Sequence, residues 1–585
     1  GHLFEVDTQV LATVRTGAEL VTAGNIGVTA SNTQQAVNMA NQPLPYTYLL
    51  AAGASNGIGG SVNSVFRTSK VNAIVEGAAR LAGNTVSVTA LNDVTNISSA
   101  NSYGKAEKSS VNGAQSFDVI DNETIARIAE TTKVTAAAKL AITATDQLDL
   151  WSISSGYAVG ANLGVGISNA NQIVSRSTQA LIGNKDLTAA TTGSAAVTYV
   201  DATTVELKAE NTGSTRTISV AGGSAAEGYS GAASVGLQLF RDVEAIAGIH
   251  SGGKMVIGAG GLSVTAKNSG TVIAPTGALG TSLSGSLAGS DSTFVAEKLD
   301  TSAFIKGATI TSGGNVAINA EQEIDAVHVA ISGANTNGNA GAGASSVNAI
   351  EGSVTADLIN ASVITTGAAT LKISSKDTSH INAVAGAVAT GSSSALGASV
   401  AYNTIAIDQR AGAENSSIDA SSVEILTLGE ARIRAIAASA TVGGSFSGNG
   451  AVTFSDIGNS YRSYLAGGNT TARGGNISVL AMKRSTIESL AGGMGGSGSG
   501  SFGGAVSVNF IHDRTLADVL VTGRVNAAGD LVIGADNSAT VKTLAVAGGA
   551  SSGSALSASV AYTQIGSATA GDSDIADGDH GDEQR

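Results

Sequence analysis

Cysteine is absent from the 585 residues, and proline occurs only three times. Without cysteine there is no disulfide frame, no thiolate zinc site and no cysteine nucleophile. Aromatic residues make up 4 % and charged residues 13 %. Half the usual charge density of about 25 % leaves too few Lys, Glu and Arg to solvate helix surfaces, so an α-rich protein is disfavoured. The scarcity of aromatics disfavours a membrane barrel, which carries aromatic girdles. No apolar run approaches the ~18–20 residues of a membrane helix. The few bases sit in a chain of net charge −14, with a pI near 4.9, which argues against nucleic acid as a partner.

Glycine is abundant at 76 residues, apolar residues reach 43 % and mean hydropathy is +0.20. Disordered chains lack such apolar content, and collagen needs abundant proline and a period of three. Small β-compatible residues dominate, and they repeat. An eleven-residue block reads SGAASVGLQLF at 230, ALGASVAYNTI at 395, SFGGAVSVNFI at 501 and ALSASVAYTQI at 555. Related copies begin near 55, 107, 160, 285, 340 and 447, giving about ten units of roughly 55 residues. Such a step is the signature of a stacked array.

Between blocks runs a second pattern, glycine then alternating apolar residues then alanine. Its apolar pairs are Ile26/Val28, Val86/Val88, Leu262/Val264, Val316/Ile318 and Leu531/Ile533. Period two means strand. A polar residue follows at a fixed offset: Asn32, Asn92, Asp146, Asn211, Asn268, Gln322, Asp377 and Asn537. Stacked in parallel register, such amides hydrogen-bond up a ladder; Lys483 breaks the series in one unit. In 395–405 the two alternating faces are Leu396, Ala398, Val400, Tyr402 and Gly397, Ser399, Ala401, Asn403. This reads as a strand covered on both faces. The Gly-Ser tracts at 492–501 and 547–554 read as turns or exposed loops, and proline is expected only at sheet edges or in loops such as Pro43 to Pro45.

The expected fold is therefore an all-β parallel β-helix (β-solenoid) spanning 1–570, with one wide coil or two narrower ones per unit. A propeller is the weaker alternative. The array has no visible caps and opens inside a unit, as a section of a longer rod would.

Residues 571–585 form an acidic tail or linker. There Asp572, Asp574, Asp577 and Asp579 are weak candidates for a calcium site, which needs closely spaced oxygen ligands. No other cofactor is expected. The six histidines lack metal-ligand spacing and read as surface or turn residues, and Trp151 with Tyr157 read as packing or as a sugar-stacking patch. No nucleophile elbow or phosphate loop is present. An enzyme is not expected; a polysaccharide-active β-helix is a remote alternative.

Blocks such as 341–358 and 396–407, joined by the GGNVAINA-type strands, resemble the passengers of large repetitive autotransporter adhesins. They are also similar to leukotoxin-like and filamentous-haemagglutinin-like exoproteins of Gram-negative bacteria. The resemblance covers about residues 14–565, rests on composition and period, and leaves the secretion route open. It implies an extracellular rod used in adhesion, aggregation or matrix formation, with host or bacterial surface proteins, glycans or copies of itself as partners. Loop presentation would centre on the insertion near 186–203 and the Pro43 to Pro45 segment. The other reading is a self-assembling filament subunit, joined end to end or laterally through β association.

Overall fold

A computed structural model describes residues 2–40, 55–184, 198–250, 253–520 and 522–566. Among these, every regular element is a strand and every strand pairing is parallel. The chain alternates between two sheets. Sheet I contains, among others, Tyr229–His250, Gly285–Lys306, Asn339–Ile359, Ser394–Glu414, Phe446–Ile457 and Gly500–Ile511, stacked in that order. Sheet II takes the intervening strands Lys254–Ser282, Val316–Thr336, Leu371–Gly391, Val423–Gly443 and Ile477–Ser497. This winding is consistent with a parallel β-solenoid. Parallel pairing rules out the propeller, whose blades are antiparallel.

The register sets the size of a turn. Ala340 lies beside Ala395, Ala395 beside Ser447, and Ser447 beside Ser501. A strand therefore stacks on the strand one whole sequence unit away, and each of these units makes one wide turn rather than two narrow ones. Ser230 pairs with Gly164 on one side and Ser286 on the other. The copies placed at 160 and 285 thus start four and one residues later in the stack. At the near end, His2–Val14 runs beside Asn63–Val75.

The wide turn needs a sharp corner after each sheet I strand. At that corner Gly307, Asn360, Asn415 and Gly467 all have positive φ, between 47° and 76°. Each N–H bonds a carbonyl of the next turn, as in Asn360 N to Glu414 O (3.0 Å). Glycine and asparagine are the residues that tolerate this conformation.

The space between the sheets is filled in two ways. Near the positive-φ corner lies a thick body of branched apolar side chains. Val363, Leu371 and Ile373 from one turn stack on Ile418, Val423 and Ile425 from the next, with Val354, Leu358 and Ile407 of sheet I also inside, all buried. At the opposite end, where sheet II hands over to sheet I, the sheets nearly touch. A Cβ on Gly166 would stand 2.0 Å from the carbonyl oxygen of Gly222, and one on Gly164 2.0 Å from that of Ser224. Ser234 reaches across from sheet I to donate to the Ser219 carbonyl of sheet II (2.7 Å). Only Gly, Ala, Ser and an occasional Asn or Thr fit between sheets this close.

This thin edge corrects three expectations. The strand at 395–405 is covered on one face only: Gly397, Ser399, Ala401 and Asn403 point inward, while Leu396, Val400 and Tyr402 are exposed. The facing sheet is too near for the large side chains, so they turn outward. The Gly-Ser tracts are mostly strand, with Ile477–Ser497 running through the glycines to a turn at 498–499. Pro275 lies within Lys254–Ser282, between two neighbouring strands, rather than at an edge or in a loop. Lacking an N–H, it leaves a gap in the pairing with Tyr199–Ala225, which skips from Ile273 to Thr276. The Pro43 to Pro45 segment and most of the 186–203 insertion lie outside the described residues.

Candidate functional site

The chemistry-bearing side chains cluster along two inward columns that separate the thick body from the thin edge. The first is in sheet II. Asn32, Asn92, Asp146, Asn211, Asn268, Gln322 and Asp377 sit directly beside one another in successive strands, followed by Gly429, Lys483 and Asn537. Direct amide bonds link Asn32 to Asn92 (2.8 Å), Asn92 to Asp146 (3.0 Å), Asn211 to Asn268 (2.7 Å) and Gln322 to Asp377 (3.2 Å).

Elsewhere the column bonds across the core instead. Asn211 and Asn268 donate to the Glu244 and Asp300 carbonyls of sheet I, each at 2.8 Å. Asp146 receives Asn122 Nδ2 (3.1 Å) and the buried Arg176 Nε (2.6 Å). The column therefore ties the two sheets together as well as successive turns.

Its interruption is also filled from across the core. A Cβ on Gly429 would lie 1.8 Å from the Tyr461 ring, so the sheet I tyrosine occupies the missing side chain's place. The Tyr461 hydroxyl accepts from Asn459 Nδ2 (2.8 Å). One turn on, Lys483 pairs with Asp513, which lies in the break between the sheet I strands Gly500–Ile511 and Arg514–Leu520, and both side chains are buried. Asp513 also accepts from Ser485 Oγ (2.6 Å) and Asn459 N (2.8 Å). Removing one partner of such a pair leaves an uncompensated charge, typically a loss of about 3–5 kcal/mol. On the outer surface beside this interruption a groove of about 280 Å³ opens among Lys376, Leu428, Glu430, Met482, Arg484 and Asp536. Its lining mixes both signs of charge.

The second polar column is in sheet I and was not anticipated from the sequence. Asp118, Gln172, Gln238, Phe294, Asn348, Asn403, Ser455 and Asn509 lie side by side and are all buried. Gln238 donates to Gln172 (2.9 Å) and Asn348 to Asn403 (2.8 Å). The signal was present as the recurring asparagine of the eleven-residue block. It was missed because that block's polar face read as one of two equivalent covered faces.

Burial perturbs the ionisable members. Asp118 is pushed up to about 7, against the opposing hydrogen bonds of Ser152, Ser98 and Asn96. Asp377 is likewise raised to about 7 by burial, opposed by Ser379 and Gln322. His328 is driven down to about 3 by burial alone, so it is neutral. Its Nδ1 lies 2.9 Å from Ser292 Oγ, and its ring stacks on Phe294 at 5.7 Å.

His250 is also buried. These two histidines correct the expectation of surface placement. His328 fits inside because its column neighbours, Ala274 and Ala383, are small. His380 and His512 stay nearer the surface and face Asp325 (3.0 Å) and Asp456 (3.1 Å).

Among the described residues no group of three or more His, Cys, Asp or Glu is placed to hold a metal ion. Asp572, Asp574, Asp577 and Asp579 lie outside the described residues. Among the described residues no helix is long and apolar enough to cross a membrane. Trp151 lies under the Arg216 guanidinium (4.5 Å), and Tyr157 stacks on Tyr103 (5.6 Å), so each aromatic packs against the turn next to it. Searches of protein-family models, curated proteins and solved structures find nothing that matches the chain.

Proposed function

We propose that this chain is a section of a rigid rod on the surface of a bacterium, mediating adhesion, aggregation or matrix formation through its outer faces. One observation carries the reading: strands stay in parallel register from turn to turn in both sheets, with buried polar columns fastening turn to turn and sheet to sheet. Stacks of this kind gain stability from each neighbour and hold outward side chains at a fixed spacing. This reading counts about ten repeats along the chain. Its extracellular location and its adhesive partners, proteins or glycans, follow from the resemblance to autotransporter passengers.

Display of the chain on a non-adherent bacterium tests the proposal. Adhesion to surfaces or clumping of the displaying cells, with no sugar released from polysaccharides, is the expected result. Polysaccharide cleavage without adhesion would replace the rod by the enzymatic reading.

A further inference from the structure

We propose that the outer face of sheet II, along the thin edge, pairs with the same face of a second copy of this chain, the two rods lying side by side and pointing the same way. The inference concerns the molecule's own surface and holds whether or not the rod is an adhesin.

Three adjacent outward columns make this face. The first is an unbroken aliphatic ribbon that includes Val329, Val384, Ile436 and Leu490. The next two alternate large residues with glycine. Strand by strand they read Val220 with Gly222, Gly277 with Leu279, Ile331 with Gly333, Gly386 with Val388, then Ala438 with Ala440 and Gly492 with Met494. The large members are open to solvent: Leu279 is 55 % exposed, Ile331 53 %, Val388 50 % and Met494 65 %. Gly277, Gly386 and Gly492 are vacant holes, whereas Leu279 Cδ1 leans to 3.1 Å from a Cβ on Gly333 and the Tyr157 ring fills the place beside Gly222. Nothing lies within 4 Å of a Cβ placed on Gly277 or Gly492, and only Ile331 Cγ1, at 3.9 Å, approaches one on Gly386.

The pattern selects its partner. Leu279, Val388 and Met494 recur on every second strand, a spacing of about 9.6 Å, and their neighbouring holes recur at the same interval. Only a surface built on the same strand spacing stays in step with it over several turns. A two-fold axis parallel to the rod and between the two columns sets Leu279, Val388 and Met494 opposite the open Gly277, Gly386 and Gly492 of the same strands in the second copy. This is a closed, self-complementary contact.

Charge argues the same way. Across the hand-over from sheet II to sheet I, the stretches 268–290, 435–455 and 489–511 contain no Asp, Glu, Lys or Arg at all, in a chain of net charge −14. Here two like-charged rods approach with no charge to desolvate, while a charged partner or headgroup finds nothing to bind. The next column out carries Arg434, Glu488 and Lys542, an ion-paired rim to an apolar centre. Six strand spacings by three columns give roughly 600 Å² per copy, near the ~800 Å² per partner of a stable interface and at the top of the ~300–600 Å² that the largest apolar patch of a typical monomer reaches.

Sedimentation equilibrium of the chain tests the pairing. The expected result is a dimer whose dissociation constant rises at least tenfold in Ile331→Lys/Val388→Lys. A similar rise is expected in Gly386→Leu, which fills a hole without adding charge, with the far-UV circular dichroism and melting of both variants unchanged. A monomer at the highest soluble concentration overturns the proposal, as does a dimer that neither variant weakens. A monomer that instead floats with phosphatidylcholine vesicles assigns the face to lipid and equally refutes it.

Discussion

The thick body and the thin edge share one backbone ladder and differ in what stands between the sheets. In the body, Ile318, Leu371, Ile373 and Val423 are fully or almost fully buried, and the outward positions carry most of the ion pairs, such as Lys372 with Glu424. At the edge, the inward positions are Gly, Ala and Ser, and the apolar bulk is displaced to the outer surface as Leu279, Ile331, Leu396 and Phe502. The comparison teaches that sheet separation, not hydrophobicity alone, decides which face of a strand is buried. Where two sheets approach to backbone contact, the small face goes in. The polar columns lie at the transition, where the gap suits an amide or carboxyl and supplies it with partners from both sheets.

The sharpest way to break the edge is to enlarge an inward glycine. Gly166→Val sets a side chain against the Gly222 carbonyl, with backbone on both sides and nowhere to move. The expected loss is more than about 4 kcal/mol in equilibrium unfolding, the range reserved for overpacked or strained sites. Gly113→Ala, outward on the same sheet with nothing within 4 Å, meets no obstacle and is expected to gain about 0.5–1 kcal/mol from strand propensity. Equal effects at the two positions would erase the distinction between inner and outer faces.

Truncation sharpens the same contrast from the other side. Ile318→Ala in the body removes a fully buried branched side chain and is expected to cost about 2–5 kcal/mol. Ala387→Gly at the edge, equally buried, removes one methyl and is expected to cost about 1–2 kcal/mol, transfer and strand propensity together. Denaturant titrations of both variants give the two values directly.

The polar columns add a contrast in pH dependence. Asp118 and Asp377 bind protons more tightly in the folded chain, near pH 7, than in the unfolded one. Their contribution to stability is full below the unfolded carboxylate range and is lost as pH rises from about 4 through 7. His328 acts in the opposite sense. Its folded pKa of about 3 lies below the unfolded value, so its contribution is lost as pH falls from about 6.5 towards 3. From these three groups, the melting temperature should climb on acidification from pH 7 to about 4, because two carboxyls outweigh one imidazole, then flatten and decline. In Asp118→Asn/Asp377→Asn the climb should vanish, leaving only the decline.

Much of the fold was legible because the register of a stacked array is written in its period. The blocks at 340, 395, 447, 501 and 555 fall in one column without adjustment. The early copies slipped by up to four residues, because Leu163–Gly183 and its neighbours carry other residues at the block's marker positions. The sheet II polar residues stood out because a polar side chain breaks an otherwise apolar strand pattern at a constant offset. The sheet I column did not, because Asn348 and Asn403 share a face with Ser346, Ala401 and other small residues that look polar or neutral. Which face turns inward was not legible either, since it depends on the distance to a strand some fifteen residues away. Partners filled from across the core, Tyr461 over Gly429 and Asp513 against Lys483, are likewise invisible to a reading that follows one strand at a time.

The central claim is that one sequence unit makes one whole turn, so a residue's neighbour in the stack lies a full unit away. The chain has no cysteine, so an engineered pair reports contact without background. Ser345 and Val400 are outward partners in adjacent strands, at a separation that a disulfide spans. Ser345→Cys/Val400→Cys is predicted to oxidise quantitatively within the monomer under mild conditions, and Ser345→Cys/Lys372→Cys, half a unit apart, is predicted to stay reduced. Oxidation of the half-unit pair, with the full-unit pair left reduced, would contradict the account.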